Sequence, residues 1–400
     1  MSNSRFIAWT VWFIASVFYA YQYILRVMPN IMLNDIMAKF DVDAATFGQF
    51  SGVYYIGYSL MHLPIGIMLD RYGPRKVMSA CILLSVIGLL PIVYADHFIY
   101  PVMGRLLMGV GSSAAILGTF KIIRLSFSEK LFPRMLSFSV TIGLMGAIYG
   151  GGPVSYMCTH LEYKTVVQIF AFMGLLLAIM TYLIVPNIEN TRNKAILSDI
   201  KEVLSNKKVI ISCVCAGLMV GPIEGFADVW GAAFLNKIYG FNGELAASYT
   251  SMIFVGMCFG SPLLTFIAEK SGNYILAIIG AGITMITAFI LLISGDSSDN
   301  LIMVMFVIIG VCCAYQIIAI YKASTYVSAN VVGLTTAVAN MIIMSFGYAF
   351  HTMIGMVIDK NGGTKVSEAF VYGVSIIPIA LIIGVIGFIY LYTQDKKSSE

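Results

Sequence analysis

The chain has 400 residues, 59% of them hydrophobic and only 11% charged, with a mean hydropathy of +0.88. A water-soluble domain carries about 25% charged residues, so this supply cannot cover a soluble surface, and a formal net charge of +4 over such a length is no nucleic-acid footprint. Apolar stretches of about 20 residues recur from end to end, the length a helix needs to cross a bilayer, and the lack of strand-type alternation argues against a barrel.

In chain order, the apolar runs predict twelve spans at 6–28, 45–69, 77–95, 99–123, 135–158, 165–186, 208–235, 245–268, 273–294, 300–321, 331–357 and 369–392. The first run follows a short polar leader with no small-residue cleavage site, so it reads as a retained span rather than a signal peptide. Residues 187–207 (NIENTRNKAILSDIKEVLSNK) break the rhythm as a charged, helix-capable segment, and the tail TQDKKSSE is polar and reads as disordered. The expected fold is an all-α membrane protein of twelve transmembrane helices in two six-helix halves, 1–186 and 208–400, joined by the central loop. The seven cysteines lie almost wholly within apolar runs and read as small core residues rather than metal ligands or disulfides.

Lys and Arg set the orientation. With the amino terminus inside, sixteen fall on the cytoplasmic side, among them Arg71, Arg75, Lys76, Lys130, Arg192, Lys194, Lys208, Lys322, Lys396 and Lys397. Six fall outside, and Arg105 and Lys121 lie within a span. That asymmetry places both termini and the central loop in the cytoplasm. Short loops and no organelle signal suit a monomeric multi-pass protein of a bacterial inner membrane.

An internal repeat supports the two halves. FDVDAATFGQFSGVYYIGYSLMHLPIGIMLDRYG aligns without a gap on YGFNGELAASYTSMIFVGMCFGSPLLTFIAEKSG, pairing Gly57 with Gly256, Asp70 with Glu269, Arg71 with Lys270 and Gly73 with Gly272, each 199 residues apart. The same offset carried forward sets Gly111 against Gly310 and Tyr149 against Tyr348.

The sharpest local pattern is Gly66-Ile-Met-Leu-Asp70-Arg71-Tyr72-Gly73-Pro74-Arg75-Lys76, between the second and third spans. Asp70 ends a helix, where the macrodipole disfavours a carboxylate, so it needs a partner such as Arg71, Arg75 or the amino end of another helix. Gly66 permits close helix approach, and Gly73-Pro74 turns the chain. The segment resembles the major facilitator loop signature G-x-x-x-D-R-x-G-x-R-K at every defining position. That resemblance implies a twelve-span secondary transporter without cofactors, with these residues gating it on the cytoplasmic side. Arg105-Leu-Leu-Met-Gly109-Val-Gly111 in the fourth span resembles the second motif of the same family, R-x-x-x-G-x-G. Arg105 and Lys121 become candidate substrate-binding residues, although snorkelling explains Lys121 equally well. The glycines of the fifth span depart from the antiporter signature, so exchange does not follow from them.

Tyr19, Tyr23 and Arg26 recur at i, i+4 and i+7, one helix face, and Tyr58 and His62 are four apart in the second span. This set resembles the organophosphate:phosphate antiporters, and the first-span arginine is shared with the anion:cation symporters. Arginine among phenols suits a carboxylate or phosphate; an interfacial aromatic belt is the alternative reading. His62 stands where that family has lysine, and Glu224 where it has a second arginine, which disfavours a phosphate dianion.

Glu224 and Asp228, at i and i+4 in the seventh span, point to proton coupling or to a counter-charge for a cation, unless Asp228 lies in the outer loop and is solvated. Asn340, Tyr348 and His351 could complete a cavity. These residues favour a proton-coupled symporter for a small carboxylate-bearing solute, an amino acid or related zwitterion ahead of a simple organic anion. An exchanger of the same fold is the first alternative, and a non-transporting sensor or scaffold is the rival from another class. Four histidines, with no H-E-x-x-H, nucleotide loop or carboxylate cluster, leave a membrane enzyme without catalytic equipment. Expected partners are the solute, a proton and membrane lipid, with no metal and no nucleic acid.

Overall fold

In the computed structural model, which describes residues 2–128, 131–186, 196–328 and 331–399, the chain is helical throughout, with no strand among the described residues. Lys130, Arg192, Lys194 and the 187–195 part of the central loop lie outside them. Twelve helices are long and apolar enough to cross a membrane, and they fall on the twelve apolar runs.

In chain order the helices are α1 (Ser2–Ile31), α2 (Leu33–Phe40), α3 (Ala44–Tyr72), α4 (Pro74–Tyr94), α5 (Ile99–Ser126), α6 (Phe132–His160) and α7 (Tyr163–Ile184). After the centre come α8 (Ile196–Ser205), α9 (Lys207–Gly225), a π-helical turn at Phe226–Trp230 that runs into α10 (Gly231–Tyr239), and α11 (Gly243–Ser271). The chain ends with α12 (Tyr274–Ile293), α13 (Asp299–Cys313), α14 (Tyr315–Ser324), α15 (Val332–Lys360) and α16 (Ser367–Ser399). The seventh span is α9, the π turn and α10 together, and the tenth is α13 with α14. The polar tail continues α16 to Ser399 rather than leaving it as coil, because Asp395 is anchored there by Lys208 and Lys322.

The helices group into two compact units, residues 1–42 with 53–193, and residues 43–52 with 194–400. The amino-terminal turns of α3 thus belong to the second unit. Asp43 starts them: its carboxylate accepts the Thr46 amide at 2.7 Å, which satisfies one of the orphan donors of the first turn and holds the Asp43 carboxyl below the usual range. From there Phe47 meets Trp230 edge to face at 6.1 Å, and a methyl group on Gly48 would stand 2.5 Å from the His351 carbonyl oxygen.

The repeat is visible in the packing of each unit. A methyl at Gly57 would stand 3.0 Å from the Val110 amide and closer still to the Leu106 carbonyl; one at Gly256 would stand 2.8 Å from the Val311 amide and closer still to the Val307 carbonyl. Gly109 presses on Tyr54 and Tyr58 backbone as Gly310 presses on Ile253 and Gly256. Only glycine permits such backbone contact between crossing helices. The structural partner of Gly310 is therefore Gly109, 201 residues away, and not Gly111, because two extra residues lie between Gly272 and Gly310 compared with Gly73 and Gly109.

Candidate functional site

The first span of each half is the most enclosed. Of the most apolar stretch of each span, 72% of the first and 78% of the seventh is buried, more than in any other. A helix shielded from lipid on most sides can carry polar side chains that a lipid-facing helix cannot, and the charges of interest sit on these two.

In the first unit, α1 and α3 bring the expected residues together. Arg26 is 6% exposed, with its guanidinium carbon 4.6 Å from the centre of the Tyr23 ring and 5.6 Å from that of Tyr55. Tyr19 meets Tyr23 edge to face at 5.3 Å, hydrogen-bonds it, and lies within electrostatic range of Arg26 and Tyr58. Tyr58 stacks on Tyr54 at 6.1 Å and leads to His62 at 5.3 Å. His62 is buried, with no hydrogen-bond partner for Nδ1 among the described residues. The result is a continuous aromatic wall around one guanidinium, suited to an anionic group held in two-pronged fashion.

Arg105 is engaged with the backbone of α1. It is 1% exposed, and its two terminal nitrogens donate to the Leu25 carbonyl at 2.6 Å and the Arg26 carbonyl at 2.8 Å. Pro29 sits in α1 and has no N–H to give the carbonyl four residues earlier, which is that of Leu25. Arg105 fills that gap and fixes the backbone of Arg26. The Tyr54 ring lies 4.9 Å from the Arg105 guanidinium, and the Tyr54 hydroxyl donates to Gln22 Oε1 at 2.6 Å, so α1, α3 and α5 are locked at one level.

Lys121 lies sixteen residues farther along α5, roughly 24 Å at helical rise. It joins the loop motif instead of the Arg26 cluster, donating to Asp70 at 2.5 Å. Asp70 thus has a partner that the loop sequence did not indicate. Arg75 donates through Nε to the Val185 carbonyl at 2.6 Å, tying the motif to the end of α7, and Arg71 lies over the Tyr72 ring. Gly73 turns the chain at φ 80°, the left-handed region open to glycine. Gly66 has only Leu117 near a would-be methyl, and Lys76 is exposed.

In the second unit, Glu224 is 5% exposed and Asp228 is fully buried. The solvated reading of Asp228 is thereby overturned. Asp228 lies inside the π-helical turn, a geometry that recurs at functional sites because it widens a helix locally. Trp230 at the end of that turn donates to the His351 carbonyl at 3.2 Å, and His351 Nδ1 pairs with the Gly347 carbonyl at 2.7 Å. Tyr315, also fully buried, lies in electrostatic range of Glu224, and Gln316 donates to Asn340 at 3.3 Å. Tyr348 backs onto Gly52.

Sequence reasoning missed Gln22, Tyr54, Tyr55 and Tyr315. Tyr54, Tyr55 and Tyr58 stand together in the second span, and i and i+4 from Tyr54 gives Tyr58, a signal that could have drawn Tyr54 in. Nothing marks Tyr315 before folding.

The Major Facilitator Superfamily model matches residues 5–352. A lysosomal dipeptide transporter of Danio rerio, MFSD1, is 22% identical over 290 residues, which is 66% of this chain; the match spans only 62% of that protein's length. The fold is similar to that of the nucleoside transporter NupG in its D323A mutant form, with TM-score 0.81, 16% identity, and coverage of 96% of this chain and all of the other. A bacterial homologue of the human lysosomal transporter Spinster, inward-facing and occupied, gives TM-score 0.76 at 18% identity, with 96% of each chain covered. With the twelve spans, the signature loop and a family model that covers most of its length, this chain belongs to the Major Facilitator Superfamily and is a multi-pass membrane protein.

Proposed function

We propose that the protein moves a small zwitterionic solute bearing a carboxylate, an amino acid or short peptide, by proton-coupled symport with alternating access. The observation that carries this reading is Arg26: a buried guanidinium framed by Tyr23 and Tyr55, with its backbone held in place by Arg105. A buried guanidinium within a membrane-spanning helix marks a candidate site for an anion. Tyr19, Tyr23, Tyr58 and His62 shape the same pocket wall, and Arg105 positions it. Glu224 receives the coupling proton or the ammonium of the solute, and Asp228 assists it. A dipeptide, the cargo named for the relative in Danio rerio, has the carboxylate and ammonium this reading requires. Gly66, Asp70, Arg71, Gly73, Arg75 and Lys76 gate access on the cytoplasmic side, where both termini lie. The membrane is a bacterial inner membrane, and the working unit is a monomer built from the halves 1–186 and 208–400.

The test is uptake into proteoliposomes with an imposed proton gradient, using labelled amino acids, dipeptides and simple organic anions in competition. Accumulation of a zwitterion that an uncoupler abolishes is the expected result. Accumulation indifferent to the uncoupler but driven by internal counter-solute would replace symport with exchange.

A further inference from the structure

A polar cavity lies in the second unit, at the end that carries the carboxyl terminus. Its volume is about 330 Å³, at the lower end of ligand-pocket sizes, and it is lined by Gly272–Ile275 at the start of α12, Lys322 at the end of α14, and Tyr392, Asp395 and Lys396 near the end of α16. Asp395 is its fixed point: Lys208 reaches one carboxylate oxygen at 2.9 Å, and Lys322 and the Tyr326 hydroxyl reach the other at 2.8 and 2.7 Å. Lys208 and Lys322 also approach the Tyr326 ring, at 5.4 and 4.7 Å. Two ammonium groups, those of Lys208 and Lys322, hold that carboxylate, and Lys396 adds a third cation to the lining. Glu269 lies in electrostatic range of Tyr274. The amides that open α12 are already capped by Asn273, so the attraction for an anion comes from the lysines.

The surroundings indicate what kind of anion would come. Tyr274 and Tyr321 pack at 5.1 Å beside the cavity, as aromatic side chains do at the headgroup level of a bilayer. One turn inward along α14 from Tyr321, Ile317 is 50% exposed, an apolar surface on which an acyl chain can lie. A basic pocket between spans, edged by tyrosine and continuous with an apolar face, matches an amphiphile better than a free ion.

We propose that this cavity binds the phosphodiester headgroup of an anionic phospholipid, with Lys322 and Lys396 as the anion contacts and Tyr274 and Tyr392 as its walls. The site faces the inner leaflet on the orientation proposed above, but binding itself does not depend on which solute is carried.

The experiment uses the full chain in nanodiscs of phosphatidylcholine doped with phosphatidylglycerol, with retained lipid measured by native mass spectrometry. Wild type should retain phosphatidylglycerol over phosphatidylcholine, and Lys396→Gln should lower that retention by about five-fold, the effect of one surface lysine. Lys322→Gln should do the same or more; because Lys322 also holds Asp395, the exposed Lys396 variant decides the matter if Lys322→Gln fails to fold. Equal retention in wild type and Lys396→Gln overturns the proposal. So does displacement of phosphatidylglycerol by millimolar inorganic phosphate, which would mark a site for the free anion. Loss of solute uptake in a protein that still selects phosphatidylglycerol would count against the proposed transport function alone.

Discussion

Lys121 and Asp70 join the middle of α5's last turns to the carboxyl end of α3 through a single contact of 2.5 Å. Asp70 is 71% exposed at its side chain, and pairs so open to water contribute at most about 1 kcal/mol. Stability is therefore a poor explanation for the pair. Position is a better one, because it fixes the loop that also holds Arg75 on the Val185 carbonyl.

Removing either charge should leave insertion and folding intact while slowing transport. Asp70→Asn and Lys121→Met are both expected to lower turnover at unchanged KM, and the exchanged pair Asp70→Lys with Lys121→Asp should recover part of it. Initial uptake rates in proteoliposomes, normalised to inserted protein, check this. A raised KM in Lys121→Met with normal turnover would return Lys121 to the binding residues.

Arg105→Met removes the donors that hold the Leu25 and Arg26 carbonyls. The Leu25 carbonyl, already deprived by Pro29, would be left unsatisfied at a cost of about 1–3 kcal/mol. The expected outcome is a lower melting temperature together with weaker solute binding, since the backbone of Arg26 loses its anchor. Unchanged melting and unchanged affinity would show that the clamp has no part in shaping the site.

Charge at the two candidate sites separates substrate classes. Arg26→Lys should weaken binding by roughly ten-fold, the order of one charge-assisted hydrogen bond. Glu224→Gln should abolish proton-driven accumulation and spare downhill exchange. Normal transport in both variants would make the two residues structural. If only Glu224→Gln is silent, the zwitterion reading fails and a plain anion remains.

Orientation has its own check. A reporter fused after Glu400 should respond as cytoplasmic and one inserted at 295–299 as external. The reverse pattern would overturn the positive-inside assignment and move the Asp395 cavity to the other leaflet.

The twelve helices were legible because hydrophobic length alone specifies them, and their ends moved by only a few residues. The loop motif was legible as a pattern, but its key contact was not: Lys121 is 51 residues from Asp70, and only the crossing of α3 and α5 brings them together. Arg105 stood out as an arginine within a span, and it is buried, yet one of the carbonyls it holds is the one Pro29 leaves open, and no motif connects the two. The repeat register slipped by two residues between Gly272 and Gly310, because gap-free alignment cannot see a longer loop. The π turn was invisible for a similar reason. Helical periodicity places Glu224 and Asp228 on one side of the seventh span but gives no sign that the turn between them and Trp230 is wide.

That wide turn amounts to a residue in surplus. A π turn takes up its surplus residue within itself, so Gly231–Tyr239 leaves in the phase that an unbroken α-helix would give, and the side chains displaced are those of the turn, Asp228 and Trp230 among them. Excising Val229 would close an unbroken α-helix and shift Asp228 and Trp230 against their neighbours while Gly231–Tyr239 keeps its register. Such a deletion should insert normally yet fail to transport; retained uptake would mean the wide turn is immaterial. The surplus residue acts as a local displacement, and a one-residue deletion becomes the change that pulls fold and function apart.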